Sequence, residues 1–514
     1  MVTLRAALQY EPVILQFGTS GRRGNVVDLT PLEIYINTVA ELEYLQSLAT
    51  PAGGIRRGDE FYFACDLRPS SPAIAAAVVQ AIRAAGMQPV HLGQIPTPAL
   101  TSYAIDRSRG SIMITGSHIP FERNGYKCNT ARGELLKQDE APINARVAQV
   151  RERIYQQPLA ESLFNERGLF KGGPQELPPA TGVAGPAYAQ RYTDYFAGAS
   201  LRGKRYLVYQ HSAVGRDLLA EILQHFGAEV ISAGRSATFV PIDTENIDDD
   251  QLATIQQLAD AAGPLDAVVS TDGDSDRPLI LGIANGRVKF FGGDLVGMIV
   301  AEFLGADAVV VPISCNDAID RSSLRQVLEP KTRIGSPYVI AGMEQARAKG
   351  RQVICGWEAN GGFLLGSDLQ RAGQTLRALP TRDAVLPILC VLLAAAGRPV
   401  TELFAQLPKR YSKAALLKNF PRPVSQAILA QFAAAERLAP FFSEFGPITK
   451  LDRTDGIRIY FANGDVAHLR PSGNADELRI YAVADTQARA DEIARLGVAE
   501  PAGILRSLAH AVGS

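Results

Sequence analysis

Three aspartates stand at alternate positions in one short segment, Asp272-Gly273-Asp274-Ser275-Asp276-Arg277, which directly follows an apolar, strand-like run. Carboxylates this close together repel one another unless a hard cation neutralises them, and their oxygens suit Mg²⁺ or Ca²⁺. An EF-hand is excluded, because the sixth and twelfth positions from Asp272 hold Arg277 and Ile283 where that loop needs Gly and Glu. The segment predicts a divalent metal site, with a solvated acidic turn as the alternative.

A second segment, Thr115-Gly116-Ser117-His118, also follows an apolar run and presents a hydroxyl at its end. Ser117 could serve as a nucleophile or a phosphoryl acceptor, because His118 adjoins it and Lys127 lies shortly downstream. A hydroxyl needs such a nearby base or cation to react. The alternative is an ordinary turn, since small polar residues favour turns for conformational reasons alone.

Two further segments carry groups that bind anions. The one near the carboxyl terminus comprises Arg470, Ser472, Gly473, Asn474 and, nearby, Arg479. Guanidinium, hydroxyl and amide groups donate where phosphate accepts, so this segment predicts an oxyanion cradle, with a simple hairpin turn as the alternative. The other segment, Gly18–Gly24, contains Arg22 and Arg23 and is equally compatible with a flexible loop.

The fifth segment, Gly356–Gly362, holds Trp357, Glu358 and Asn360 after another apolar run. Carboxylate and amide groups are suitable partners for sugar hydroxyls, and glycines let a loop close on a ligand. Trp357 is also compatible with plain packing at a domain seam. The segment predicts a sugar-binding loop.

The elements that must position these segments are short apolar runs that alternate with helix-like stretches. The runs fall at 61–66, 111–116, 205–210, 267–274, 308–314 and 353–358. This alternation predicts α/β layers with mainly parallel strands. In such folds ligands gather at the carboxyl ends of the strands, where these segments lie.

A Gly- and Pro-rich stretch at 172–185 predicts a linker after a first domain. We expect four domains in all, at 1–185, 186–292, 293–408 and 409–514. The first three share the same α/β order of strand, loop and helix. The fourth is predicted to be α+β, starting as a helical segment and passing into the alternating strands GIRIYFA, VAHLR and LRIYAV.

Composition narrows the class of protein. The chain has 514 residues, 46% of them hydrophobic and 20% charged, which is typical of a multidomain globular enzyme. Its 52 basic and 53 acidic side chains give a net charge of -1, so nothing predicts a nucleic-acid or membrane partner. The five cysteines form no CxxC pair, and the amino terminus does not read as a signal peptide, so we expect a cytoplasmic protein without disulfides.

Taken in order, the five segments resemble the α-D-phosphohexomutase family, which includes phosphomannomutases, phosphoglucomutases and phosphoglucosamine mutases. That family reads GT-S/D-G-x-RG, TASHNP followed by NGxK, DGDxDR, a GE-bearing sugar loop and RxSGTEP. This chain reads GTSGRRG, TGSHIPFERNGYK, DGDSDR, GWEANGG and RPSGNAD, over nearly its whole length. The matching order carries more weight than any single motif.

The resemblance implies four domains around a central cleft and a phosphorylated Ser117. Mg²⁺ would be held by the phosphate of that serine together with Asp272, Asp274 and Asp276. Arg277 would steady the phosphoryl group, while Arg23, Lys127 and His118 would stabilise charge or move protons. The implied substrate-binding residues are Glu358, Asn360, Arg470, Ser472, Gly473, Asn474 and Arg479.

The implied reaction interconverts a hexose 6-phosphate and a hexose 1-phosphate through a hexose 1,6-bisphosphate. Mannose phosphate is the expected substrate, with glucose phosphate or dual specificity as the alternative and glucosamine phosphate less favoured. Departures from the family pattern at Gly116, Ile119 and 474–476 also leave a catalytically silent sugar-phosphate binder open. A phosphatase with an aspartate nucleophile would leave Ser117 without a role. A monomer or small homo-oligomer is expected.

Overall fold

The computed structural model of the chain describes residues 2–18, 20–472 and 476–513. Within these ranges the strands form four main sheets, and no helix combines the length and apolar character needed to cross a membrane. The mixed α/β sheets and the α+β carboxyl-terminal unit predicted from the sequence are confirmed. All five cysteines are buried and unpaired.

The first unit has helices on a mixed sheet whose strand order is β1-β5-β4-β2-β3, with β6 beside β5. Strands β2, β3 and β4 are parallel, whereas β5 runs antiparallel to both β4 and β1. The elements are α1 Leu4–Ala7, β1 Arg22–Asn25, α2 Pro31–Ser47, β2 Glu60–Cys65, α3 Ser71–Ala84, β3 Gln88–Gln94, α4 Thr97–Asp106, β4 Ser111–Ile114, β5 Arg123–Thr130, β6 Gly133–Glu134 and α5 Lys137–Tyr155.

The second unit repeats this plan. Its sheet order is β11-β10-β9-β7-β8, with β7, β8 and β9 parallel and β10 antiparallel to β9. The elements are α6 Ala184–Tyr195, β7 Arg205–His211, α7 Arg216–His225, β8 Glu229–Arg235, α8 Asp249–Ala262, β9 Ala267–Thr271, β10 Pro278–Ala284 and β11 Arg287–Phe290.

The third unit has the sheet order β12-β13-β14-β17 and a separate β15-β16 hairpin. Here β12 and β13 are parallel, and β14 is antiparallel to β13. The elements are α9 Gly293–Leu304, β12 Ala308–Val310, α10 Ser336–Ala348, β13 Ile354–Trp357, β14 Phe363–Leu365, β15 Leu369–Arg371, β16 Gln374–Leu376, β17 Leu379–Asp383, α11 Val385–Ala394 and α12 Val400–Phe404.

The fourth unit is an antiparallel sheet, β18-β22-β21-β20-β19, covered by helices. The helical start predicted for this region is wrong, because the unit begins with strand β18. The alternation of LL and AA pairs with lysines reads as helical, but pairing along all of β22 forces the segment into an extended edge strand. The elements are β18 Tyr411–Lys418, α13 Arg422–Gln431, α14 Ala435–Leu438, β19 Ile448–Asp452, β20 Ile457–Phe461, β21 Val466–Pro471, β22 Glu477–Ala484, α15 Gln487–Val498 and α16 Ile504–Gly513.

Three of the predicted functional loops occupy the same place in three sheets. Each one connects the last parallel strand to its antiparallel neighbour: β4 to β5, β9 to β10 and β13 to β14. One continuous hydrophobic core, which includes Met113, Val269 and Cys355, runs beneath all three loops. The fourth unit has its own core around Ile459 and Ile480. The three loops therefore lie over one shared hydrophobic core, whereas the fourth unit has a core of its own.

Candidate active site

Ser117 lies buried in the loop after β4, and its hydroxyl oxygen donates a hydrogen bond to Asp272 Oδ2 over 2.7 Å. Its backbone is in the left-handed region, with φ of 52°, and the Thr115 hydroxyl accepts from its N–H at 2.7 Å. A non-glycine residue adopts this conformation only when its surroundings hold it there, and such strain gathers at functional sites. The loop therefore aims the serine oxygen at the acidic loop of the second unit.

Arg68, in the loop after β2, holds the serine loop in place. Its guanidinium donates to the backbone carbonyls of Ser117 at 3.1 Å, Pro120 at 2.9 Å and Arg123 at 2.8 Å, and also to that of Ile119. The ring of Phe239 from the second unit covers it, 3.8 Å away. A Cβ at position 116 would come within 2.6 Å of this guanidinium, which explains the glycine there.

The three aspartates form a buried cluster whose carboxylate oxygens lie within 4.8 Å of one another. Lys127, on β5, donates from Nζ to Asp274 Oδ2 at 2.8 Å and to Asp276 Oδ2 at 2.7 Å. Thr97 also donates to Asp274 Oδ2, at 2.6 Å. Lys127 and Thr97 thus hold two of the three carboxylates from the first unit.

The three carboxylates of the cluster differ in their local electrostatic environment. Burial and the carboxylates of Asp274 and Asp276 raise the pKa of Asp272 well above its ordinary range. Burial acts against Asp274 as well, but Lys127 and Thr97 outweigh it and lower the pKa of that carboxyl. Asp274 Oδ1 and Asp276 Oδ1 are buried and accept no hydrogen bond from any described residue. Two orphaned carboxylate oxygens beside Asp272 are a donor set that fits a hard divalent cation.

His118 and Arg277 lie next to the Ser117 hydroxyl and contact each other. The nitrogen Nδ1 of His118 lies 3.3 Å from the Ser117 oxygen and accepts a hydrogen bond from Arg277 Nη1 at 3.0 Å. Burial, together with the positive charges of Arg277 and Arg23, holds the pKa of His118 well below its ordinary value. A neutral imidazole therefore faces the serine at neutral pH, with the lone pair of Nδ1 directed at the arginine.

Arg22 and Arg23 point to opposite faces of β1, as successive residues of a strand must. Arg22 turns inward, where Nε donates to Glu41 at 2.7 Å. Arg23 lies close enough to Asp274 and Asp276 for their charges to act on it, and burial together with Arg277 and Arg382 lowers its pKa to about 10. Only the second arginine of the Gly18–Gly24 segment faces the aspartates.

The loop after β13 brings Glu358 to the same cleft. Glu358 Oε2 accepts from Arg382 Nη1 at 3.2 Å, and the Nε of that arginine donates to Asp276 Oδ2 at 3.1 Å. Asn360 uses its side-chain oxygen to accept from the Gly362 N–H at 3.0 Å, which holds the turn. Trp357 is buried and stacked on Phe363, so packing explains it.

The cradle predicted in the fourth unit is described only in part. Arg470 and Arg479 stand directly opposite each other on β21 and β22, and Ser472 donates its N–H to the Glu477 carbonyl at 2.9 Å. Arg470 Nε lies 3.1 Å from Asp455 Oδ2, which in turn accepts the N–H of Ile334 in the third unit. Gly473 and Asn474, also predicted here, lie outside the described residues.

Sequence reasoning missed two of the arginines that build the site. Arg68 follows the strand at 61–66, so the rule that ligands collect at the carboxyl ends of strands would have indicated it. Arg382 lies within the short strand β17, whose LPTRD sequence is not an apolar run and carries no such signal. Its position between Asp276 and Glu358 emerges only from the fold.

The bridge made by Arg382 supports a prediction about stability. Replacing Arg382 by Met leaves Asp276 and Glu358 buried without this cation, so we expect a loss of about 3 kcal/mol in the free energy of unfolding. Urea denaturation measures it. Arg377→Met is the matched control, because Arg377 is exposed and its ion pair with Asp106 should contribute less than about 1 kcal/mol. Equal losses in the two variants would contradict a structural role for the bridge.

Comparison with known proteins agrees with this geometry. Residues 15–153, 292–411 and 417–496 match the family models described as phosphoglucomutase/phosphomannomutase alpha/beta/alpha domain I, alpha/beta/alpha domain III and C-terminal domain. The chain is 38% identical to a phosphomannomutase of Sinorhizobium fredii over 94% of its own length and 98% of that protein. It is 39% identical to a phosphomannomutase of Salmonella muenchen, covering 93% of this chain and 94% of that protein.

Solved structures show the same fold. A putative phosphomannomutase from Thermus thermophilus superposes with a TM-score of 0.68 at 20% identity, covering 98% of this chain and 100% of that one. The chain belongs to the phosphoglucomutase/phosphomannomutase family, which confirms the resemblance found in its motifs. It is accordingly an isomerase that transfers a phosphoryl group within a sugar phosphate.

Proposed function

We propose that the chain interconverts mannose 6-phosphate and mannose 1-phosphate through a phosphorylated Ser117 and a mannose 1,6-bisphosphate intermediate. The observation that carries the chemistry is the Ser117 hydroxyl held 2.7 Å from Asp272 within a buried, cation-rich cluster of aspartates. The identity of 38 to 39% with phosphomannomutases over nearly the whole chain supports the choice of sugar.

In the proposed cycle, the phosphoryl group leaves the Ser117 oxygen and bonds to the free hydroxyl of the bound sugar phosphate. That hydroxyl loses its proton, and the serine oxygen regains one. The bisphosphate then turns around, its other phosphoryl group returns to Ser117, and the isomeric monophosphate is released. Positioning and charge stabilisation provide most of the catalysis in such transfers.

The cationic side chains around Ser117 fit the proposed phosphoryl transfer. Arg277 and His118 hydrogen-bond next to the serine, so Arg277 is placed to neutralise charge on a phosphoryl group there. Arg23 lies close enough to Asp274 and Asp276 for their charges to act on it, and burial together with Arg277 and Arg382 lowers its pKa to about 10. We assign charge stabilisation to Arg277 and Lys127, and proton transfer to Arg23.

We propose Mg²⁺ as the resident cation, held by Asp272, Asp274, Asp276 and a phosphate oxygen on Ser117. When bound, such an ion neutralises charge that develops on the transferred phosphoryl group. Hard carboxylate oxygens, two of them without hydrogen-bond partners among the described residues, support this assignment. The chain's own part is to hold the carboxylates in place. Lys127 and Arg382 pair with the other oxygens of Asp274 and Asp276, and the Ser117 hydroxyl donates to Asp272.

The substrate's second phosphate is assigned to the loop after β21, with Arg470, Ser472, Gly473, Asn474 and Arg479 as its donors. Such a cradle binds either phosphate of the bisphosphate, because it recognises the charge and shape of a phosphate group and not the sugar. Reorientation requires the cleft to open. The separate core of the fourth unit fits a movement of that unit as a rigid body.

A coupled assay with Mg²⁺ and a trace of hexose 1,6-bisphosphate tests the choice of sugar. We expect turnover of both mannose 1-phosphate and glucose 1-phosphate, with the larger kcat/KM for the mannose compound. A larger kcat/KM for glucose 1-phosphate would make the chain a phosphoglucomutase. Turnover of neither compound, in a protein that still binds them, would indicate a silent sugar-phosphate binder.

A further inference from the structure

The connection between β8 and α8, residues 236–248, extends from the second unit toward the sugar loop of the third unit. Thr244 is buried there, and its hydroxyl donates to the backbone carbonyl of Asn360 at 2.7 Å. The next residue, Glu245, has its own N–H bound to Asp243 Oδ1 at 3.1 Å. These two hydrogen bonds fix the backbone on both sides of the Glu245 side chain, directly beside the loop that carries Glu358.

The groups around Glu245 belong to three different units. Arg277 of the metal loop, Glu358 of the sugar loop and Arg479 of the fourth unit all lie near enough to act on its charge. Tyr481 on β22 also lies within reach of it. The carboxylate therefore stands in the cleft between the metal loop, the sugar loop and the phosphate cradle.

No contact with a described residue accounts for the position of the Glu245 carboxylate. It forms no hydrogen bond or ion pair with any residue in the described ranges, although the charges of Arg479 and Arg277 act on it. Burial and Asp243 raise the pKa of Glu245 to about 7, although part of the residue remains accessible to solvent. A partly buried acid that the fold leaves unpaired is suited to accept hydrogen bonds from a ligand.

We infer that Glu245 is a sugar-binding residue, whose carboxylate accepts a hydrogen bond from a ring hydroxyl of the bound hexose phosphate. It would face Glu358 across the sugar, so that a carboxylate from the second unit and one from the third bind different hydroxyls. This inference rests on the proposed hexose phosphate substrate and adds a contact from a unit to which only the metal loop was assigned.

Titration calorimetry measures sugar-phosphate binding separately from phosphoryl transfer. In a Ser117→Ala background, where no phosphoryl group can move, the full chain is titrated with mannose 1-phosphate, glucose 1-phosphate and inorganic phosphate. Adding Glu245→Ala should weaken binding of the sugar phosphates about tenfold and leave inorganic phosphate unchanged. Glu221→Gln is the surface control, since Glu221 is exposed on α7 and should leave every affinity unchanged.

Monodeoxy analogues of mannose 1-phosphate identify the hydroxyl. The analogue that lacks the contacted hydroxyl should bind equally well with and without Glu245, whereas the other analogues should still lose about tenfold. The milder Glu245→Gln replaces Glu245→Ala if the latter lowers the melting temperature. Equal losses for inorganic phosphate and sugar phosphates, or the same loss with every analogue, would overturn the inference. Failure of the proposed mutase function would appear separately, as absent turnover by the unmodified chain.

Discussion

Replacing Ser117 by Ala is expected to lower kcat for hexose phosphate isomerisation by at least about a thousandfold, because the phosphoryl group then has no carrier. The steady-state coupled assay measures this loss. Removing the hydroxyl also takes a hydrogen bond from the buried Asp272, so the free energy of unfolding should fall by only about 1 to 3 kcal/mol. The protein should remain folded and inactive.

The matched control is Ser111→Ala. Ser111 is a buried serine at the other end of β4, and its oxygen accepts from Asn129 Nδ2 at 3.1 Å. It should lose a similar amount of stability while retaining its activity. If the Ser117 variant kept substantial activity, the nucleophile would lie elsewhere, and the aspartate loop would be the place to look for it.

Substitution of Asp274 by Asn should lower kcat/KM by at least about a hundredfold, because a neutral amide binds a divalent cation poorly and several kcal/mol of charge stabilisation are lost. The amide oxygen can still accept from Lys127 and Thr97, and Lys127 keeps its pair with Asp276, so the fold should be retained. Activity titrated against Mg²⁺ should show that the variant needs a higher concentration. A chelator should abolish native activity reversibly.

Asp250→Asn provides the control. It removes the same charge at an exposed position in the first turn of α8, away from the cluster. It should match the native protein in both kcat/KM and Mg²⁺ requirement. Native-like turnover by the Asp274 variant, or native turnover that survives complete chelation, would contradict the metal assignment.

The strands that precede the predicted functional loops were predictable because they are short apolar runs, and all six runs named from the sequence overlap a strand. Strand β18, Tyr411–Lys418, was not predictable from the sequence. Its residues show no strand-like alternation, and the segment is extended only because it pairs with β22. Local pattern determines buried strands well. An edge strand depends on a partner that is distant in the sequence.

The chemistry of the site was predictable to the same extent. Ser117, the three aspartates and Glu358 lie in loops after recognisable strands, and the fold does bring them together. Arg382 contacts Asp276, and Glu245 lies near Glu358; each pair joins two units of the fold, and no local pattern indicates such contacts. Pairing of buried charges across domains is a property of the tertiary structure.

The central claim is that Ser117 carries the phosphoryl group between the two positions of the sugar, and a label chase tests it most directly. The chain is incubated with hexose 1,6-bisphosphate carrying radioactive phosphorus, mapped by peptide analysis, and then chased with unlabelled mannose 6-phosphate. We predict label on Ser117 that passes quantitatively to the sugar. Label on an aspartate of the 272–276 loop, or its release as inorganic phosphate with Ser117 unmodified, would contradict the account.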